Sequence, residues 1–276
     1  MKYRIVADSA ANVYVEDKVS FAYAPLKIVA GDTTWGDDRE LDVAGMVDAL
    51  KVYKGKTGTA CPSVGDWLEA FGDAEYVVGV CMTGTLSGTY NSAMLAKRDY
   101  EEAHPGRKVF ILDSLSAGPE EQLIIEKMEE FILAGKTFEE IESMITEYVK
   151  HTHLLFSLES LTNLVNNGRV SPIIAAAAGV LGMRIVGKAS DQGELQQLHK
   201  CRGEKKAAIT IYKEMIEHGY TGGKVRVAHC YNEEMASVLK EKIVADYPEA
   251  DVQILSTGGL CSYYAERGGL LIGFEG

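Results

Sequence analysis

The chain is short of positive charge. Its 276 residues carry 28 Lys and Arg against 40 Asp and Glu, a formal charge of −12. Without a basic stripe, nucleic acid and anionic membrane surfaces are excluded as expected partners. No stretch approaches the ~20 consecutive apolar residues that a membrane-spanning helix needs. The N-terminus carries Lys2 and Arg4 but runs straight into the strand-like Ile5-Val6-Ala7, without an apolar signal region or a cleavage-type site, so a cytoplasmic protein is expected. Five cysteines (Cys61, Cys81, Cys201, Cys230, Cys261) are odd in number, dispersed and never spaced C-x-x-C. That usage predicts reduced thiols rather than disulfides or zinc. Only 6 prolines and 28 glycines occur, while 46% of residues are apolar and 25% charged, which excludes low complexity and predicts a globular core. The length fits two domains or one large one.

Familiar catalytic signatures are missing too. The loop Gly84 to Thr89 lacks the lysine of a P-loop, and no G-x-G-x-x-G follows the first strand. His151 and His153 alternate without a third ligand nearby, so no metal site is expected. His229 and Cys230 are neighbours on a strand, which turns their side chains to opposite faces and argues against a Cys–His dyad.

What is present is a series of apolar strands that end in small polar residues. Tyr3 to Ala7 ends at Asp8-Ser9, Tyr76 to Cys81 ends at Met82, and Lys108 to Leu112 ends at Asp113-Ser114. Strand ends of this kind face the ligand crevice of an open α/β sheet. Asp8 has a second reading, as the cap of a turn. The run Met82-Thr83-Gly84-Thr85-Leu86-Ser87-Gly88-Thr89 then feeds a helix predicted from Tyr90 to Arg98. Unpaired N–H groups at such a helix start favour an anion, with Ser87 and Thr89 as hydroxyl donors and Gly84 and Gly88 allowing close approach. An ordinary turn with an N-cap is the alternative. A second hydroxyl-bearing loop, Lys56 to Ser63, leaves Thr59 free ahead of a helix Val64 to Phe71.

The spacing predicts a strand Phe21 to Val29 interrupted by Pro25, a polar turn region Gly31 to Arg39, and helices Leu41 to Val52, Pro119 to Leu133 and Thr137 to Lys150. A domain seam is expected near residue 150, giving an N-terminal α/β domain (1–150) and a C-terminal α/β domain (151–276), both mainly parallel, with a ligand crevice or tunnel between them. In the second half, His153 to Leu158 reads as a strand. Ile173 to Val180 reads as a buried helix, and Met183 to Val186 and Leu195 to Lys200 as strands around the Asp191-Gln192-Gly193 turn. Helix Lys205 to Glu217, strand Val225 to His229, helix Glu233 to Tyr247 and strand Val252 to Leu255 follow. Thr257 to Gly269 reads as a polar loop before a last apolar strand. Arg169, in the turn Asn166 to Pro172, is either an anion clamp or a donor to backbone carbonyls. A donor-rich crevice without an evident base or nucleotide cradle points to binding rather than turnover.

Five of these segments, in order, resemble the DegV family of bacterial two-domain fatty-acid-binding proteins. They are Ile5-Val6-Ala7-Asp8-Ser9; Thr59-Ala60-Cys61-Pro62-Ser63, similar to a Thr-Ser-Gln-Pro-Ser loop; Leu86-Ser87-Gly88-Thr89-Tyr90; Asp113-Ser114 with Ser116 and Gly118; and Asn167-Gly168-Arg169-Val170-Ser171. The resemblance implies that Thr59 and Ser87 hydrogen-bond a fatty-acid carboxylate beside the Gly88 backbone, with the acyl chain in the apolar core. It also implies a carrier without cofactor or catalytic residue, which presents its ligand to a separate ATP-dependent fatty acid kinase for acyl phosphate formation and phospholipid synthesis. Two departures stand out: Cys61 replaces the family's Gln, and Tyr264-Ala265-Glu266-Arg267-Gly268 replaces its His-Thr-Gly-Pro-Gly. Tyr264 either supplies the donor that the histidine would have given, or packs while Arg267 or water completes the site. A transferase using Ser87 as nucleophile and a lipid-sensing regulator are the rival readings.

Overall fold

The computed structural model describes residues 2–15, 17–171 and 182–276. The stretch 173–180, expected as a buried helix, lies outside them. Strands β1 (Tyr3–Asp8), β2 (Phe21–Ala24), β6 (Tyr76–Cys81) and β7 (Lys108–Asp113) form a four-stranded sheet in the order β2-β1-β6-β7, every pair parallel. Its central strands lack polar alternation because both faces are covered. Val6, Trp67, Phe71, Ala93 and Ala96 make one core under α2 (Val64–Phe71) and α3 (Thr89–Ala103). On the other face Ile5, Val78 and Val80 pack against Ile124 and Met128 of α4 (Pro119–Leu133) and Ile141 of α5 (Phe138–Tyr148).

The predicted strand Phe21 to Val29 is two strands in two sheets. Pro25, which cannot donate to a ladder, stands between β2 and β3 (Lys27–Ala30). The latter pairs antiparallel with β4 (Thr33–Gly36) and β5 (Thr57–Ala60). The regions read as turns at 31–39 and 56–63 therefore each hold a short strand, paired through backbone groups that leave little trace in side-chain pattern. Helix α1 (Val43–Val52) packs Met46 near Ile28 and Tyr263.

The second half is a six-stranded sheet in the order β10-β9-β8-β13-β11-β12. Its strands are β8 (Thr152–Leu158), β9 (Met183–Ala189), β10 (Leu195–Arg202), β11 (Val225–His229), β12 (Val252–Ser256) and β13 (Leu270–Glu275). Here parallel pairing is confined to β11 and β12; the other neighbours run antiparallel. The mainly parallel character expected of both units thus describes the first sheet. The difference arises because β9 and β10 form a hairpin and the terminal β13 inserts between β8 and β11. After a short α6 (Thr162–Asn166), helices α7 (Glu204–Glu217) and α8 (Glu233–Asp246) cover one face, burying Ile211, Met215, Leu239 and Ile243.

The two large sheets meet through α4. A Cβ on Gly273 of β13 would lie 2.5 Å from the Glu120 backbone nitrogen, so the start of α4 rests directly on that strand. Arg226 of β11, 1% exposed, donates to Glu126 of α4 at 2.7 Å from both Nε and Nη2, and to Asp251 at 2.7 Å. The segment expected as a polar loop contains a buried helix, α9 (Gly259–Ala265). Seven residues opening on glycine carry no apolar stripe, and the helix is stabilised from far away in sequence. The Gly259 and Leu260 N–H groups donate to Asp37 at 2.7 and 3.0 Å, a carboxylate on a helix N-terminus. Among the described residues no helix is long and apolar enough to cross a membrane.

Candidate functional site

A cavity of about 720 Å³, including its open mouth, lies between the six-stranded sheet and the strand ends of the first half. Its walls follow from strand periodicity: Leu154, Phe156 and Leu158 alternate along β8 and so share one face, with Leu271 of β13 beside them. Leu26, Met82 and Ala117 close it from the first half, and Leu260, Cys261 and Ala265 of α9 complete it. The apolar walls with a few polar groups among them are those of a small-molecule site. Among the described residues, the polar and charged ones that line it are Thr59, Ser87, Arg169 and Tyr264, besides Cys261.

Each of the four comes from a different element. Thr59 lies on β5, opposite Ile28 of β3. Tyr264 lies on α9, and its phenol is 2.8 Å from the Thr59 hydroxyl. Burial raises the Tyr264 pKa, opposed by the Thr59 hydrogen bond and the positive charge of Arg169. The phenol therefore stays neutral and remains a donor at neutral pH. Ser87 precedes α3, and its Oγ accepts the Thr89 N–H at 3.3 Å. Arg169 donates from Nε to the Leu86 carbonyl at 3.1 Å and from Nη1 to the Asn167 carbonyl. It thus bonds backbone carbonyls and is also one of the residues that line the cavity.

Gly88 does not line the cavity. It lines an open polar hollow with Gly84, Thr85, Asn91 and Gly168, and this hollow shares Leu86, Ser87 and Arg169 with the cavity. Thr89, Asp8 and Ser9 are fully buried and stand behind the wall. Asp8 accepts from the Ala10 and Met82 N–H groups, each at 3.0 Å. Burial raises its pKa to about 7, opposed by those two bonds and the Thr89 hydroxyl. The Ser9 hydroxyl donates to Asp37 at 2.9 Å and accepts the Leu26 N–H at 3.0 Å. Asp113 likewise accepts from Gly84 N–H at 3.1 Å. The strand-end acids are thus internal acceptors that fix the 82–88 loop. A further clamp comes from the β9–β10 turn, where the Gln192 carbonyl accepts from Thr85 Oγ1 at 2.8 Å. Gly193 there, at φ +72°, leaves space that a Cβ would deny to the Thr83 hydroxyl.

Sequence reasoning missed Asp37, which holds α9 in place and also accepts from Tyr14 at 2.8 Å. Its signal was an acidic residue in a turn, which is common everywhere. His229 and Cys230 diverge as expected: His229 Nδ1 accepts from Asn232 N–H at 3.2 Å, while Cys230 faces the Ser262 carbonyl. His153 packs on Phe274 and His218, and burial pushes its pKa down to about 4. No group of three or more His, Cys, Asp or Glu among the described residues is arranged to hold a metal ion.

A sequence model of the family described as "Uncharacterised protein, DegV family" matches residues 2–275. A DegV domain-containing protein of Streptococcus pneumoniae is 43% identical over 279 residues, covering 100% of this chain and 99% of its own. Among solved structures, the S. pneumoniae Fatty Acid Kinase (Fak) B3 protein loaded with linoleic acid superposes with a TM-score of 0.98 at 43% identity, covering 100% of this chain and 99% of that one. A DegV family protein from Eubacterium eligens loaded with heptadecanoic acid superposes with a TM-score of 0.97 at 44% identity, covering 99% of each chain.

Proposed function

Because the chain belongs to the DegV family, we propose that it binds a long-chain fatty acid and presents it to a separate ATP-dependent fatty acid kinase for acyl phosphate formation. The observation that carries this reading is the cavity itself: apolar along its length, with Thr59, Ser87, Tyr264 and Arg169 on its wall. Relatives of the same fold hold linoleic and heptadecanoic acids, which supports the ligand class. The kinase partner is supported by the Fatty Acid Kinase B3 relative.

Energetics favour the same ligand. Burying about 14 methylenes at ~0.8 kcal/mol each supplies roughly 11 kcal/mol before association costs. The acyl chain therefore carries most of the affinity, and neutral donors suffice to orient the carboxylate. Thr59, Ser87 and Tyr264 supply hydroxyl donors, while Arg169 adds positive charge and holds the Leu86 carbonyl of the Ser87 loop. Residues 1–150 carry the Thr59 and Ser87 loops, and residues 151–276 supply Arg169, Tyr264 and most of the acyl wall. The chain acts as carrier, not catalyst. Ser87 Oγ accepts the Thr89 N–H and, among the described residues, no basic side chain is hydrogen-bonded to it, so a nucleophilic role has no support. The cytoplasm is the proposed compartment, consistent with five free cysteines.

Reconstitution tests this function. Radiolabelled oleate, ATP, the kinase and this protein together are expected to yield acyl phosphate, and omission of this protein to abolish it. Equal product without it, or product from this protein and ATP alone, overturns the carrier role.

A further inference from the structure

Directly behind the Thr59–Tyr264 pair stands a second one. Thr57, two residues before Thr59 and on the same face of β5, is 2.7 Å from the Tyr263 phenol. The Tyr263 oxygen also accepts from Asn167 Nδ2 at 2.9 Å, and that amide donates its other proton to the Asn163 carbonyl at 2.8 Å. Asn163 Nδ2 in turn donates to the Tyr263 carbonyl at 2.8 Å. Tyr263 is 1% exposed and packs edge-on against Tyr264 with ring centroids 4.8 Å apart. One phenol therefore ties together β5, α9 and the turn after α6, the three elements that carry Thr59, Tyr264 and Arg169. Gly58, between the two threonines, abuts Asn167, whose Oδ1 would lie 3.3 Å from a Cβ there. Tyr263 and Thr57 do not line the acyl cavity; they line a separate polar cavity on the other side, together with Lys51 and Arg267. The two hydroxyl pairs stand side by side along β5, one lining the acyl cavity and the other the polar cavity.

We propose that Tyr263 is a positioning residue for carboxylate recognition: its hydroxyl fixes the spacing of Thr59, Tyr264 and Arg169 and seals the head-group end of the cavity from the polar cavity behind it. The role rests on the fatty-acid reading and adds to it a residue that touches no ligand. The phenol bridges elements from both halves of the chain, so losing it frees β5 from the 167–169 turn while the apolar walls, built from β8, β13 and Leu26, stay as they are. The effect falls on ligands with a carboxylate and spares those without one.

The test is isothermal titration of the full chain, delipidated, with oleic acid and with oleyl alcohol. For Tyr263→Phe, oleic acid affinity is expected to fall five- to tenfold while oleyl alcohol affinity stays within twofold of wild type. Thr57→Val, which removes the same hydrogen bond from its β5 partner, is expected to show the same selective loss, and the double variant no more than the larger single effect. Equal losses for acid and alcohol, or no loss for the acid in Thr57→Val, overturn the positioning role. A wild-type protein that binds neither ligand overturns the fatty-acid reading and this role with it. A wild type that binds both, with variants that do not discriminate, overturns the role of Tyr263 alone.

Discussion

Glu120 offers a quantitative test of how the two halves are joined. It is the second residue of α4, 5% exposed, and its carboxyl accepts the Ser116 hydroxyl on one oxygen and the Thr152 hydroxyl, at 2.7 Å, on the other. Thr152 begins β8, so this side chain bridges the first half to the strand that walls the cavity. A negative charge at a helix N-terminus is normally favoured, yet burial dominates and raises the Glu120 pKa from 4.5 to about 7. A folded pKa above the unfolded one gives stability that is complete below the unfolded value and lost as pH rises through the folded value. The loss between pH 5 and pH 8 amounts to roughly 2.5 kcal/mol. Glu120→Gln removes that term. Its amide keeps one hydroxyl bond and forces the other hydroxyl to turn, costing about 1 kcal/mol at any pH. The variant is therefore expected to be slightly less stable than wild type at pH 5 and about 2 kcal/mol more stable at pH 8, by urea denaturation. Asp8 and Glu121, also buried and raised, titrate in both proteins and largely cancel in the difference. Relief of Glu120–Glu121 repulsion acts in the same direction. Stability curves that run parallel from pH 5 to 8 refute the burial argument.

Other perturbations report on the cavity and its frame. Ser87→Ala and Thr59→Val are each expected to weaken oleate binding by about 1–3 kcal/mol, read by titration, with unchanged circular dichroism. Full affinity in both removes them from the head-group site. Tyr264→Phe keeps the ring and loses the hydroxyl bonded to Thr59, so a loss of about 1 kcal/mol in oleate binding is expected, whereas an unaltered Kd assigns Tyr264 to packing. Glu126→Ala leaves buried Arg226 with Asp251 as its remaining carboxylate and is expected to cost about 3 kcal/mol of stability, measured as a lower urea midpoint. A midpoint within error of wild type contradicts that ion pair's role in seating α4.

Much of the architecture was legible because its signals are local. The buried strands Tyr76–Cys81 and Val225–His229 and the helices Val64–Phe71 and Pro119–Leu133 follow from apolar runs, helix spacing and Pro119 at a helix start. What was not legible depends on distant partners. Helix α9 is defined by Asp37, more than two hundred residues away, and β4 and β5 by backbone pairing to β3. The antiparallel character of the second sheet was hidden for the same reason, since strand direction depends on where β13 inserts. Among the site residues, Thr59, Ser87, Arg169 and Tyr264 converge on one cavity, while Asp8, Ser9 and Thr89 lie behind it. Strand ends of an α/β sheet do face the crevice, but an acidic side chain there serves either a ligand or the loop's own N–H groups, and sequence cannot distinguish the two. Tyr263 went unnoticed because its role is visible only once β5 and the turn after α6 are brought together.

The most direct test of the central claim is native mass spectrometry of the purified protein, followed by solvent extraction and identification of the released molecule. One fatty acid per chain, or stoichiometric uptake of added oleate by an empty protein, is the predicted result. A protein that carries no lipid and takes up no fatty acid is not a fatty-acid carrier.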